Sequence, residues 1–380
     1  MPLADFAHAL AGTLNARPLR EHAEPSLSTV ALPAGWRPAP APTSVLRACG
    51  WLAPDVPAAS LRVDQTTSSH TVFRVTAPDG RCVIVKQVSR NSALNSRSLR
   101  NELFVYRLCA WMPAIAAIVP EPIYLDEARQ VVVVHSLASG AVWPDPATTP
   151  NITTPGVAEE VATAVAQLHR STQDMGMWPS FAVGVLGLCD SLDLAIQGRA
   201  PTACALMRTI VADGALNALL REGLQTYRAR CVIHGDLRSE NWLRDCRSPR
   251  RELRLLDWEI AGAGDPLWDL GSLLAETVGH HIRCNHPVDA IWPPLCHATL
   301  SQILRSYAAA NGPIDLADSD VWRRLAVMAA ARLLHVATEC AEQGAEPGDW
   351  PVAALLQAAS AVAGDPNGAG AGLARLVSPR

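Results

Sequence analysis

A two-lobed α+β fold, with a small antiparallel sheet lobe set on a larger, mainly helical lobe, is what this sequence predicts. At 380 residues the chain exceeds the roughly 250 to 300 at which a single hydrophobic core stops growing, so two lobes flanking a cleft are expected. Strand-type patterning is concentrated between about Thr71 and Val134. From Val157 onward the apolar spacing is helical, broken only by two short apolar runs, CVI and LRLL.

Residues 1–60 are rich in Ala and Pro, with one weak stripe of Leu3, Phe6, Leu10 and Leu14 before WRPAPAPTS. They read as an extension that docks loosely or recruits something. The small lobe is assigned 61–136. A hairpin parses easily there: TVFRVTA, the turn Pro78-Asp79-Gly80, then RCVIVKQV, with Lys86 on the second strand. Residues 94–110 read as a helix, since Leu99, Leu103 and Tyr106 recur at helical spacing and set Glu102 close to the stripe that packs on the sheet. Pro120 to Val134 holds two more strands, IYLD and VVVV, around a turn at Glu127. His135 to Gly140 connects to the large lobe, 137–380, in which Val157 to His169 is a helix and CVIHGD and LRLLDW are short hairpins.

Composition narrows the partners. A net charge of -4 and 49% hydrophobic residues lack the basic excess that nucleic acid or an anionic membrane surface favours, so neither is expected. Ten cysteines without a Cys-x-x-Cys pair read as free thiols in a reducing compartment. The first residues carry Asp5, no basic start and no apolar core long enough for export. No run of about eighteen apolar residues occurs, and a cytoplasmic location is the expectation.

The most informative stretch is HGDLRSEN, His234 to Asn241, followed sixteen residues later by Asp257 in LLDWE. A base on a tight loop, an amide five residues on and a carboxylate on the next hairpin suit phosphoryl transfer. The base reaches an acceptor hydroxyl while the other two hold metal over ATP phosphates. Of the 32 Lys plus Arg residues, Lys86 is the sole lysine. A compact ammonium differs from a guanidinium where one point charge must sit between phosphates and a carboxylate. Glu102 follows sixteen residues later. Lys86 contacting the α and β phosphates, Glu102 orienting it, Asp236 on the acceptor hydroxyl, and Asn241 and Asp257 on Mg2+ appear in the order such a site requires.

On these residues, and on the run Gly262 to Leu270 (GAGDPLWDL), the chain resembles the aminoglycoside phosphotransferase and choline kinase group of protein-kinase-like enzymes from about Val63 to Glu276. In that group the loop reads HGD, and the metal aspartate is followed by an aromatic and an acid, as in Asp257-Trp258-Glu259. The resemblance implies a five-stranded antiparallel sheet plus one helix in the small lobe. It also implies direct in-line transfer from ATP with Mg2+ to an alcohol group, and a role for Asp269 in bracing the catalytic loop. Arg238 stands where protein kinases carry a lysine that steadies the γ phosphate; a solvated loop arginine is the plain alternative. The backbone of Ser136 and Leu137 would meet the adenine edge. The phosphate-covering turn, QTTSSH from Gln65 to His70, has no glycine, so the hydroxyls of Ser68 and Ser69 would have to donate; a polar hairpin tip is the plain alternative.

The acceptor stays open. A polycation would favour a strongly acidic wall, whereas residues 270–380 show only a mild acidic bias. An antibiotic, amino alcohol or other small-molecule hydroxyl is the leading expectation. A second is a Ser or Thr of a precursor peptide in a ribosomal-peptide pathway, acting with a lyase partner. A third is a nucleotide-binding pseudokinase scaffold. His234 and His169 read as structural histidines. His280, His281, Cys284, Cys296 and His297 match no structural zinc spacing.

Overall fold

The computed structural model describes residues 41–67, 70–88, 93–137, 150–174, 183–284, 286 and 290–378. In the small lobe, five strands form one antiparallel sheet in the order β1-β2-β3-β5-β4: β1 Arg62–Thr67, β2 His70–Thr76, β3 Cys82–Val88, β4 Pro122–Asp126 and β5 Val131–His135. The β2–β3 hairpin closes at Pro78-Asp79-Gly80, where Gly80 takes a positive φ of 86° and its N–H donates to Ala77 O. Glu102 sits on the helix Ala93–Leu108 (α2), tied to the sheet side by buried Leu99, Leu103 and Tyr106. β1 is the strand that residue patterning missed. RVDQTT has no apolar alternation, and pairing with β2 alone makes it a strand.

Strand alternation gives the sheet two different faces. Val75, Val83, Val85, Val131 and Val133 form one apolar cluster with Val45, Leu46, Trp51 and Leu52. Val45 and Leu46 lie on a helix, Pro42–Ala48 (α1), so this helix covers the back of the sheet. The boundary expected at residue 60 is thereby corrected: from 42 onward the chain belongs to the lobe. β-branched valines needed an apolar cover, and this segment supplies it. The opposite face carries Ile84 and Lys86 opposite Val134 and Val132 and looks into the cleft.

The large lobe is built from α3 Val157–Ser171, α4 Pro201–Ala212, α5 Gly214–Thr226, α6 Pro266–Arg283, α7 His297–Ala309, α8 Ser319–Glu342, α9 Val352–Gly364 and α10 Pro366–Val377. Two small ribbons interrupt them, β6 Cys231–Ile233 with β9 Gly262–Gly264, and β7 Trp242–Arg244 with β8 Leu253–Leu255. α8 is the axis, packing on α6, α9, α10, α4 and α5. Asp265 caps α6, its Oδ1 accepting from Leu267 N at 3.0 Å, with Pro266 at the first helical position. Gly271 lets α6 approach α8: a Cβ there would lie 2.9 Å from Ala329 N. Trp242, Trp258 and Trp268 are fully buried. No single helix among the described residues is long and apolar enough to cross a membrane.

Candidate active site

β3 delivers Lys86 into the cleft from the small lobe. Its Nζ lies 2.6 Å from Glu102 Oε2 and 2.5 Å from Asp257 Oδ1, with Glu259 Oε2 at 3.9 Å. Burial disfavours the ammonium, but the carboxylates of Glu102, Asp257 and Glu259 outweigh it, so its pKa stands above the ordinary lysine value. Burial pushes the Glu102 carboxyl up, and Lys86 only partly offsets that. The DWE segment also ties the lobes together. Glu259 Oε2 lies 3.2 Å from His70 Nε2, and Asn101 Nδ2 donates to Glu259 O at 3.1 Å. Asp257 itself is left-handed, φ 61° and ψ 58°, a conformation uncommon for a residue with a Cβ and found at functional turns.

The HGD loop leaves β6 and is gripped from behind by α6. Asp269, completely buried, accepts from His234 N at 2.7 Å with Oδ2 and from Gly235 N at 2.9 Å with Oδ1. His169 Nε2 lies 3.1 Å from Asp269 Oδ2, while its Nδ1 meets Tyr307 Oη at 2.8 Å. Trp268 Nε1 donates to Gly235 O at 2.8 Å. His234 spans the loop: Nε2 lies 2.7 Å from Leu256 O, Asp236 N donates to Nδ1 at 3.3 Å, and the ring packs against Trp258. Both histidines are thus structural, and Asp269 braces the loop. Gly235 holds φ 86° at the turn into Asp236.

Asp236 lies among cations. Arg332 Nη2 is 2.5 Å from Oδ1 and Arg238 Nε is 3.2 Å from Oδ2. Burial raises its pKa, but Arg332 first, then Arg238, His234 and His335, bring it down to about 2. Asn241 Nδ2 donates to Asp236 O at 2.8 Å and to Oδ2 at 3.0 Å. That fixes the amide, leaving its oxygen as the ligand-type atom. Arg238, about one-third exposed, also reaches Glu339 at 3.3 Å, and Glu339 pairs with His335 at 3.3 Å.

A cavity of about 260 Å³ opens beside Asn241, between the lobes; Asp236 and its arginines do not line it. Its walls include Val72, Ile84, Val132, Val134, Leu137, Leu243 and Leu256, and Lys86, Glu102, Asn241 and Asp257 stand at its polar end. Apolar faces with a few converging polar groups suit a planar base and its phosphates. The amide oxygen of Asn241 and the carboxylate of Asp257 are hard oxygen donors of the kind Mg2+ takes alongside phosphate. Of the expected hinge, Leu137 lines this cavity, but Ser136 does not. Ser136 N–H donates to Cys82 O at 3.1 Å, and Leu137 O accepts from Cys246 N at 3.0 Å. The Ser136 N–H is therefore spent on sheet closure, not on a base edge. Ser68 and Ser69 lie outside the described residues. The zinc alternative does not assemble: Cys284 pairs with His280 at 3.6 Å, His297 turns to Trp292 O and Cys296 to Thr277 O.

Residue reasoning missed Arg332, Glu339 and Glu276. The last accepts from Ser239 Oγ at 2.6 Å and pairs with Arg283 at 2.8 Å. A signal for Arg332 was present, a charge in the apolar run AVMAAARLLHVA, yet its partner 96 residues away is a product of the fold.

The profile of the phosphotransferase enzyme family, APH, matches residues 60–290. No curated protein matches the chain by sequence. Among solved structures, the choline kinase LicA from Streptococcus pneumoniae aligns at 17% identity with a TM-score of 0.54, covering 85% of this chain and 98% of its own. An ethanolamine kinase from Plasmodium vivax aligns at 10% identity and TM-score 0.55, covering 83% and 85%. An amicoumacin kinase held with AMP-PNP, Ca2+ and Ami aligns at 13% identity and TM-score 0.54, covering 85% and 93%. The likeness is one of fold, the protein-kinase-like two-lobe arrangement.

Proposed function

We propose, from the fact that the chain belongs to the phosphotransferase enzyme family, that it transfers the γ-phosphoryl group of ATP to a hydroxyl of a small molecule, with Mg2+. The observation that carries this reading is Lys86 held between Glu102 and Asp257 at 2.6 and 2.5 Å, while Asn241 is keyed to Asp236 at 3.0 Å. Lys86, Glu102, Asn241 and Asp257 share one cavity, and Asp236 touches it through Asn241, which supports phosphoryl transfer. Asn241 and Asp257 are the residues that would hold the metal, which when bound neutralises phosphate charge. Lys86 places the phosphates. Asp236 orients the acceptor hydroxyl; the hydroxyl oxygen attacks the γ phosphorus, the bond from that phosphorus to the leaving ADP breaks, and the hydroxyl proton departs by way of the Asp236 carboxylate.

The acceptor side argues against a polycation. Glu339 is engaged by Arg238 and His335, Glu276 by Arg283, and Asp236 by Arg332 and Arg238. Carboxylates already paired are poor receivers for several ammonium groups. A neutral or singly charged alcohol fits better, and the solved neighbours named for choline and ethanolamine are compatible with that class. The test is ADP release with Mg-ATP, read with product mass, across amino alcohols, macrolides, aminoglycosides and Ser/Thr peptides, with Asp236→Ala as control. An acceptor that gains one phosphate only with intact Asp236 bears the reading out. Bound ATP with no transfer to any acceptor, and none to water, would replace it with a scaffold role.

A further inference from the structure

Arg332 is 2% exposed and flanked on α8 by buried Ala330, Ala331, Leu333 and Leu334. Desolvating a guanidinium there is costly, and an aliphatic side chain would hold a structural helix together at least as well. Its partner is Asp236 Oδ1, at 2.5 Å. The other oxygen, Oδ2, faces Asn241 Nδ2 at 3.0 Å and Arg238 Nε at 3.2 Å, both from the catalytic loop itself. One oxygen is thus gripped from inside the helical lobe, and the other lies beside the amide read as a metal ligand. We propose that Arg332 is a positioning residue for phosphoryl transfer, locking Oδ1 so that the Oδ2 edge of Asp236 is presented to the acceptor hydroxyl.

The inference rests on the kinase reading and adds a division of labour to it. Rotation of the carboxylate about Cβ–Cγ would break the charge-assisted contact with Arg332. Asp236 then keeps its ionised, oriented form before the acceptor arrives, and the hydroxyl proton moves only as the new O–P bond forms and the diphosphate leaves. Arg238, tied to Glu339 as well, is the more exposed of the two arginines and the one able to turn toward phosphate.

The test separates turnover from nucleotide binding in the full-length protein. Relative to wild type, Arg332→Met is expected to lose at least tenfold in kcat for hydrolysis of Mg-ATP, and for transfer once an acceptor is known, with KM for ATP little changed. Added to Asp236→Ala, the same substitution should cost nothing further, since it acts through that carboxylate. Arg332→Lys keeps the charge but loses the planar fork. It should lose kcat several-fold; should Arg332→Met fail to fold, this variant decides the question. Wild-type kcat in folded Arg332→Met or in Arg332→Lys, or an equal further loss in the Asp236→Ala background, overturns the proposal. Absence of any turnover in the wild type would overturn the kinase reading itself and is seen before a variant is made.

Discussion

Asp236, proposed to orient the acceptor, also contributes to stability through its ion pairs. Its folded pKa, about 2, lies below the ordinary 3.8, so its ionised form contributes stability that is fully present above about pH 4 and is lost as pH falls through about 2. The shift corresponds to about 2 kcal/mol. Urea midpoints measured between pH 5 and pH 2.5 should therefore fall with acid, and Asp236→Asn should lose that part of the slope. The same substitution leaves Arg332 charged, buried and facing a neutral amide, and should lower stability at pH 7 by about 3 kcal/mol. Lys86→Met strips Glu102 and Asp257 of their shared cation. Transfer should slow by several powers of ten, which single-turnover rates at saturating Mg-ATP would show. The identity of these residues could be read from order and spacing, because loop chemistry of this kind uses few residue types at short separations. Arg332 and Glu339 were not legible, since their relevance arises only when α8 is packed under the loop.

At the scale of elements, the HGD loop is held to α6 by one carboxylate that accepts from two successive N–H groups. Asp269→Asn keeps the shape but replaces one of those acceptors by a donor, and should reduce kcat by about a hundredfold while KM for ATP changes little. Steady-state kinetics with the identified acceptor, or with water, measures this. A second prediction concerns the α6–α8 contact that carries Asp269 and Arg332. A methyl at Gly271 would press on Ala329 N, at 2.9 Å, and on Met328, both part of a helix with no room to yield. Gly271→Ala should destabilise by about 1 to 3 kcal/mol, read as a shift in urea midpoint. Hairpin and helix signals were strong here, as Pro-Asp-Gly and the Leu99, Leu103, Tyr106 stripe placed Lys86 and Glu102 correctly on their elements. β1 was hidden because RVDQTT has polar residues on both faces, and only an edge partner makes it a strand.

For the whole molecule, the cleft is held by contacts that cross it. Lys86 with Asp257, His70 with Glu259 and Asn101 with Glu259 O all join the small lobe to the DWE segment. A ligand that bridges the same groups stabilises by mass action, about 2.7 kcal/mol at a hundredfold excess over Kd. Mg-ATP is therefore expected to raise Tm, and less so in Asp257→Ala. The back of the sheet imposes a different requirement. Leu46 is fully buried against Val75, Val83 and Val133, so Leu46→Ala should cost about 2 to 5 kcal/mol in equilibrium unfolding. A loosely docked extension would tolerate it.

Taken by itself, the sequence determined the two-lobe class, the ordered set Lys86, Glu102, Asp236, Asn241 and Asp257, and the family. Local spacing encodes strands, turns and loop chemistry, and those signals need no distant partner. Tertiary structure decided that residues from 42 onward belong to the small lobe, that Ser136 N–H closes the sheet, and that Arg332 pairs with Asp236. Each of these depends on groups far apart in the chain, as with Ser136 and Cys82 or Arg332 and Asp236. Burial, which makes such a contact strong by removing water, exists only once the core has closed.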